Sequence, residues 1–142
     1  MKKYIFLTFF FLLLDQGSKF LFQYKNIDIL PFFSFRYAEN TGVAFSLFQG
    51  YNLLFIFVSL FALGMIFFYF KHYPFALSFL CAGVLGNLLD RIVFGFVRDF
   101  ISVSIWPIFN LADTWNCIGV VLLLYAFWKE ENINKAHGSK ER

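Results

Sequence analysis

An all-α integral membrane fold with four transmembrane helices is the architecture this sequence predicts, and three observations predict it. The 142 residues are 60% hydrophobic and only 15% charged, their mean hydropathy is +0.67, and four apolar segments each reach the length of a bilayer crossing. A soluble domain of this size cannot cover itself with so little polar surface. A helix needs about 20 predominantly apolar residues to cross the hydrocarbon core.

The segments follow in order. Met1-Lys2-Lys3 and the apolar run from Tyr4 to Leu14 have the form of a secretory signal. No small-x-small cleavage site follows, and apolar character resumes at Phe20-Leu21-Phe22. Residues 4–22 are therefore expected to be a retained span of about 28 Å, with a polar turn from Asp15 to Lys19 near its far end. Residues 51–70 carry no charge. The third span, 74–94, starts with a proline suited to a first helical turn and runs through Asp90-Arg91. The last, 112–128, places Trp115 and Trp128 for the two membrane interfaces. Residues 1–128 are expected to form one domain and 129–142 a solvated cytoplasmic tail.

Four crossings put both termini on one side. Lys2, Lys3, Lys71, Lys129, Lys135, Lys140 and Arg142 lie on that side, against Lys19, Lys25, Arg36, Arg91 and Arg98 on the other. The excess of basic residues favours cytoplasmic termini. All six acids before the tail (Asp15, Asp28, Glu39, Asp90, Asp99 and Asp113) fall toward the outer side. In the outer connections, Phe33-Ser34-Phe35-Arg36-Tyr37 and Ile101-Ser102-Val103-Ser104-Ile105 alternate at period two, which predicts short strands and a small sheet on the bilayer surface. Lys71-His72-Tyr73 is a tight inner turn.

Several function classes are disfavoured. A net charge of +3 without a dense basic run gives no sign of nucleic-acid binding. Cys81 and Cys117 lie in apolar runs and read as packing residues. His72 and His137 sit across the membrane from the acids, so they cannot serve a Ser–His or Cys–His arrangement there. Ser18 and Lys19 are helix neighbours and point apart. No His/Cys/Glu spacing suits a metal, and no phosphate loop is present, so no metal or other cofactor is expected.

What remains is a pair of aspartates 14 positions apart, Asp99 after the third span and Asp113 at the mouth of the fourth. A carboxylate near hydrocarbon is costly, about 2.5–3.5 kcal/mol at a helix centre on insertion scales. Two close carboxylates that cannot both ionise share a proton, which puts an acid and a base in one site. Simple helix capping would account for Asp113 alone, but not for Asp99. Asp15 and Lys19 are four apart on one helix face, either a self-satisfied ion pair or part of a site. Gly83, Gly86, Asn87 and Asp90 share a side of the third span. The glycines suit close helix packing or room for a ligand, and Asn87 is within reach of Asp90 or Arg91. Asp90 and Arg91, as neighbours, are expected to have separate partners. Asn40-Thr41-Gly42 reads first as a turn. A proton-coupled transporter is the main alternative, but the inner halves of the spans hold no acid to continue a relay. A scaffold whose polar cluster holds helices together is a third reading.

Asp15-Gln16-Gly17-Ser18-Lys19, Asn40-Thr41-Gly42-Val43-Ala44-Phe45, Gly86-Asn87-Leu88-Leu89-Asp90-Arg91, Val97-Arg98-Asp99-Phe100 and Phe109-Asn110-Leu111-Ala112-Asp113 resemble, in order and spacing, the motifs of the lipoprotein signal peptidase (signal peptidase II) family. The resemblance runs from about Tyr4 to Trp128. It implies an aspartic endopeptidase of the bacterial cytoplasmic membrane that cuts a prolipoprotein just before a diacylglyceryl-modified cysteine, with the site at the outer face. Asp99 and Asp113 would be the catalytic dyad. Asn40, Gly42, Asn87, Arg91 and Asn110 would line the site, with Asp15, Lys19 and Asp90 supporting it. The outer segments would form a periplasmic β-cradle and a short lid helix. The partners implied are the lipidated prolipoprotein and membrane lipid, with the enzyme a monomer and no cofactor needed.

Overall fold

The computed structural model describes residues 1–42 and 50–138. Helix α1 (Lys2–Phe22) leads into strands β1 (Asn26–Leu30) and β2 (Phe33–Asn40). Helices α2 (Asn52–Tyr69) and α3 (Pro74–Phe94) follow, then β3 (Val97–Val103), β4 (Trp106–Phe109) and α4 (Leu111–Gly138). The four helices are long and apolar enough to cross a membrane. The strands form one antiparallel sheet in the order β1-β2-β3-β4.

Connectivity places the sheet at one end of the bundle and the α2–α3 turn at the other. The Ser78 hydroxyl donates to the Tyr4 carbonyl, and Tyr73 donates to Glu130, which ties the start of α1 and the end of α4 to that turn. The outward faces are apolar: Phe6, Leu13, Phe61, Phe67, Phe68 and Val121 are all exposed. In water such a surface would drive association, whereas lipid solvates it.

Helix α3 is the centre and packs against the other three. Its close approach to α4 and α1 depends on glycines. A Cβ at Gly83 would collide with the Asn116 side chain and the Ala112 carbonyl, and one at Gly86 would meet the Asp15 carboxylate and the Ala112 methyl. The expected room for substrate at these glycines is absent, because α4 and Asp15 fill it. Gly83→Leu and Gly86→Leu are accordingly expected to destabilise the bundle by about 1–3 kcal/mol or more through overpacking. A thermal melt in detergent checks this, and an unchanged midpoint in both would contradict the close packing.

Most boundaries match expectation to within two residues. Helix α4 differs, continuing ten residues past Trp128 to Gly138 through a polar stretch that includes an i,i+4 Lys135–Glu131 pair at 2.6 Å. Trp115 turns toward the neighbouring helices. Its ring packs inside the bundle, 4.5 Å from Phe11 and 6.1 Å from Phe79, because lateral aromatic packing is available to it there. The sheet is larger than the two strands expected, since β1 and β4 lack clean alternation. There is no lid helix among the described residues of the first outer connection, and 43–49 lie outside them.

The sheet docks on the bundle through aromatics. Phe22, at the end of α1, stacks on Phe35 of β2 at 4.0 Å and on Phe100 of β3 at 5.1 Å. Gly95 ends α3 in the left-handed region, φ +82, where a side chain would be strained. Its N–H donates to the Arg91 carbonyl, and the chain turns directly into β3.

Candidate functional site

The reversal at Gly95 brings β3 back across the end of α3. Val97, Arg98, Asp99 and Phe100 are all buried, which replaces strict alternation with cover on both faces of an inner strand. In the register of β2 and β3, Asp99 lies opposite Ala38, and Asn40 lies opposite Val97. The Asn40 amide reaches across to donate to Asp99 Oδ2 at 2.9 Å.

Asn110 joins the two aspartates. Its Nδ2 donates to Asp99 Oδ1 at 2.6 Å and to Asn87 Oδ1 at 3.1 Å. Its Oδ1 accepts the Asp113 N–H at 3.0 Å while its own N–H donates to Asp113 Oδ2 at 3.2 Å. This reciprocal pair resembles a capping box, with Asn110 satisfying an orphan donor at the start of α4. Capping is thus part of the role of Asp113 but occupies one oxygen. The other, Oδ1, accepts from Asn87 Nδ2 at 2.8 Å. Asn87 therefore turns to Asp113, Asn110 and Lys19 rather than to Asp90 or Arg91, because α4 supplies closer partners than its own helix does.

Asp99, 2% exposed, stands behind this network. Burial and the nearby Asp113 charge push its carboxyl up to about 7, against the pull of the Asn40 and Asn110 amides. Asp113 is half-buried and lines a cavity of about 300 Å³ with Asn40, Gly42, Asn87, Arg91, Asn116 and Cys117. Arg91 donates to the Gly42 carbonyl at 3.3 Å and lies 5.2 Å over the Phe55 ring.

Asp15, Lys19 and Asp90 form a separate buried cluster beneath. Lys19 Nζ lies 2.9 Å from Asp15 and 3.4 Å from Asp90 and donates to Asn87 Oδ1 at 3.1 Å. That last bond connects the cluster to the aspartate network. Asp15 also accepts the Ala112 N–H at 2.8 Å, pinning the first turn of α4. Asp90 and Arg91 do have separate partners: Asp90 takes the Arg98 guanidinium at 2.7 Å and the Arg98 N–H at 2.9 Å.

Two participants had no role assigned from sequence. Arg98 is buried and pairs with Asp90, and Gln16 donates to Asp15, Asp90 and the Gly86 carbonyl while accepting from Arg98. The available signal was their position, polar residues beside charges in an apolar chain. Asn116 and Cys117 also line the cavity, and their place one helical turn after Asp113 is the signal that could have found them.

Comparison with known proteins identifies the family and the fold. The family model for signal peptidase (SPase) II matches residues 7–129. The chain is 39% identical over 130 residues to the lipoprotein signal peptidase of Thermodesulfovibrio yellowstonii, covering 82% of this chain and 88% of the relative. It is 35% identical over 134 residues to that of Halothermothrix orenii, covering 86% and 92%. A bacterial membrane enzyme solved by the in meso method at 2.3 Å superposes with a TM-score of 0.84 at 28% identity, covering 92% of this chain and 90% of that one. With a family match over nearly its whole length, relatives of matching size and four membrane-competent helices, the chain belongs to the bacterial lipoprotein signal peptidase (signal peptidase II) family of membrane peptidases.

Proposed function

We propose that the chain is an aspartic endopeptidase that removes the signal peptide of a prolipoprotein before its diacylglyceryl cysteine, with Asp99 and Asp113 as the catalytic pair. The observation that carries this reading is the linkage of a buried, high-pKa Asp99 to a cavity-facing Asp113 through one amide, Asn110. Asp99 holds the shared proton near neutrality, and Asp113 faces the cavity as base.

In the reaction, Asp113 takes a proton from a water as its oxygen attacks the scissile carbonyl carbon. The Asp99 proton stabilises the developing oxyanion. When the C–N bond breaks, the pair returns a proton to the leaving amine. Acid–base assistance of this kind contributes about 10²–10⁴-fold. Asn87, Asn110 and Asn40 keep both carboxyls oriented, while Arg91 and Gly42 border the space for the substrate backbone. Asp15, Lys19 and Asp90 hold α1, α3 and α4 together underneath. No step needs a cofactor.

The charge distribution supports cytoplasmic termini and a site at the periplasmic face of the cytoplasmic membrane, with residues 1–128 acting as one monomeric peptidase domain. The lipid anchor keeps the substrate in the bilayer, so the substrate meets the site by diffusion in two dimensions.

The pH profile tests the pairing. A group raised to about 7 is protonated below that value and loses its proton above it. Cleavage of a diacylglyceryl-modified precursor by purified enzyme is therefore expected to fall as pH rises through about 7, and to fall again in acid as a second proton fills the pair. Both apparent constants belong to the dyad together. A rate flat from pH 5 to 9, with binding held saturating, would contradict a shared proton.

A further inference from the structure

A trough between α1 and α2 takes no part in the chemistry above. Both helices pack chiefly on α3, which leaves a space of about 730 Å³ between them with α3 as its floor. Ile5 and Phe9 of α1 form one wall, Leu63 and Ile66 of α2 the other, and Cys81 and Leu85 lie along the floor. Thr8 also lines it, but its hydroxyl is turned to the Tyr4 and Ser78 carbonyls. The trough is therefore apolar along its length.

One end lies at the α2–α3 turn, where Met1 and Lys71 line it. The other is reached by Phe9 and Leu85. The backbone rises about 12 Å from Met1 to Phe9 and about 16 Å from Pro74 to Leu85. That depth matches the hydrocarbon of one leaflet, half of a core about 30 Å thick. A spanning helix would need twice the length.

The mouth at the α2–α3 turn is basic. Lys2, Lys3 and Lys71 are exposed there, and among the described residues none of the three is in an ion pair. Lys3 lies over the Tyr4 ring. The other charged groups at this end belong to α4 and line no part of the trough. Glu130 accepts the Tyr73 hydroxyl at 2.8 Å, Glu131 pairs with Lys135 at 2.6 Å, and Lys129 adds a further base. His72 packs beside the Tyr69 and Tyr73 rings.

We propose that the α1–α2 trough binds one anionic phospholipid, with an acyl chain along the trough and the phosphate at Lys71, near Lys2 and Lys3. Apolar contact alone gives little preference among lipids, so the headgroup decides which one is held. Lysine ammonium groups bind phosphate as point charges, and basic pockets between membrane helices select anionic headgroups. An occupied trough braces α1 against α2. Because α1 also carries Asp15 and Lys19 of the buried cluster, bound lipid stabilises the folded bundle.

The test follows thermal melting of the full chain in maltoside micelles doped with dioleoyl phosphatidylglycerol or dioleoyl phosphatidylcholine. The chains are identical, so any difference reports on the headgroup. Phosphatidylglycerol is expected to raise the midpoint at a lower mole fraction than phosphatidylcholine. Lys71→Glu should raise the phosphatidylglycerol fraction needed for half the shift by about fivefold or more and leave the phosphatidylcholine response unchanged. Lys135→Glu makes the same charge change away from the trough and should alter neither response. Leu63→Trp, which fills the trough, should blunt both. Equal responses to the two lipids in the wild type would overturn the proposal. So would a Lys135→Glu loss as large as that of Lys71→Glu, which would assign the effect to general surface charge. Inorganic phosphate should give no shift, and a shift matching phosphatidylglycerol would replace the lipid with a simple anion.

Discussion

Asp99→Asn and Asp113→Asn are each expected to lower kcat for a diacylglyceryl-modified precursor by about 10²–10⁴-fold, with the protein still inserted in the membrane. The shapes are nearly identical, so the loss reports on proton chemistry. An amide at position 99 cannot hold or release the shared proton, and one at 113 cannot take a proton from water. The substitutions also disturb hydrogen bonding. Both Asp99 oxygens accept amide donors, from Asn40 and Asn110, so an Asn at 99 turns its own NH₂ toward one of them. Leaving a buried donor unpaired costs about 1–3 kcal/mol. Melting in detergent therefore has to accompany the assay, so that lost activity in a folded variant is separated from unfolding. Two variants that both cleave at the wild-type rate would end the aspartic reading, whatever their stability.

Lys19→Met is expected to cause the largest loss of stability, about 3–5 kcal/mol, because it removes one member of a buried charge cluster. The side chains of Lys19 and Asp15 are wholly buried. Asp90 retains Arg98 at 2.7 Å, but among the described residues Asp15 keeps the Ala112 N–H and the Gln16 amide alone. Its charge is then uncompensated inside the bundle. Replacing both partners, Asp15→Asn with Lys19→Met, should cost less than Lys19→Met alone, since no orphan charge remains. A double-mutant cycle on thermal stability measures that coupling. If the double variant is less stable than the wild type by the full sum of the two separate effects, the pair is not coupled and the account of the cluster is wrong.

Position 91 and position 83 illustrate where sequence reasoning reached and where it stopped. That Asp90 and Arg91 need different partners follows from helix geometry alone, and the partners differ in the structure. Which partners they are depends on Arg98, delivered by a strand that turns back at Gly95. For Gly83 and Gly86, the sequence allows either a close helix or an open space, because a missing side chain serves both. The arrival of Asn116, Ala112 and Asp15 against α3 decides for close packing. Asn87 shows the same limit: its reach along its own helix is legible, its choice of Asp113 is not.

Hydropathy and length alone determined four helices, their order and nearly all their ends, because lipid demands continuous apolar helix wherever the chain crosses it. The period-two stretches likewise marked strands at the polar end. Only tertiary structure decided that Asn110 would stand between Asp99 and Asp113, and that Lys19 would reach the same network through Asn87. Those contacts join residues on four different elements. Local periodicity constrains each element separately, whereas their meeting depends on how closely α1 and α4 approach α3 and where β3 returns.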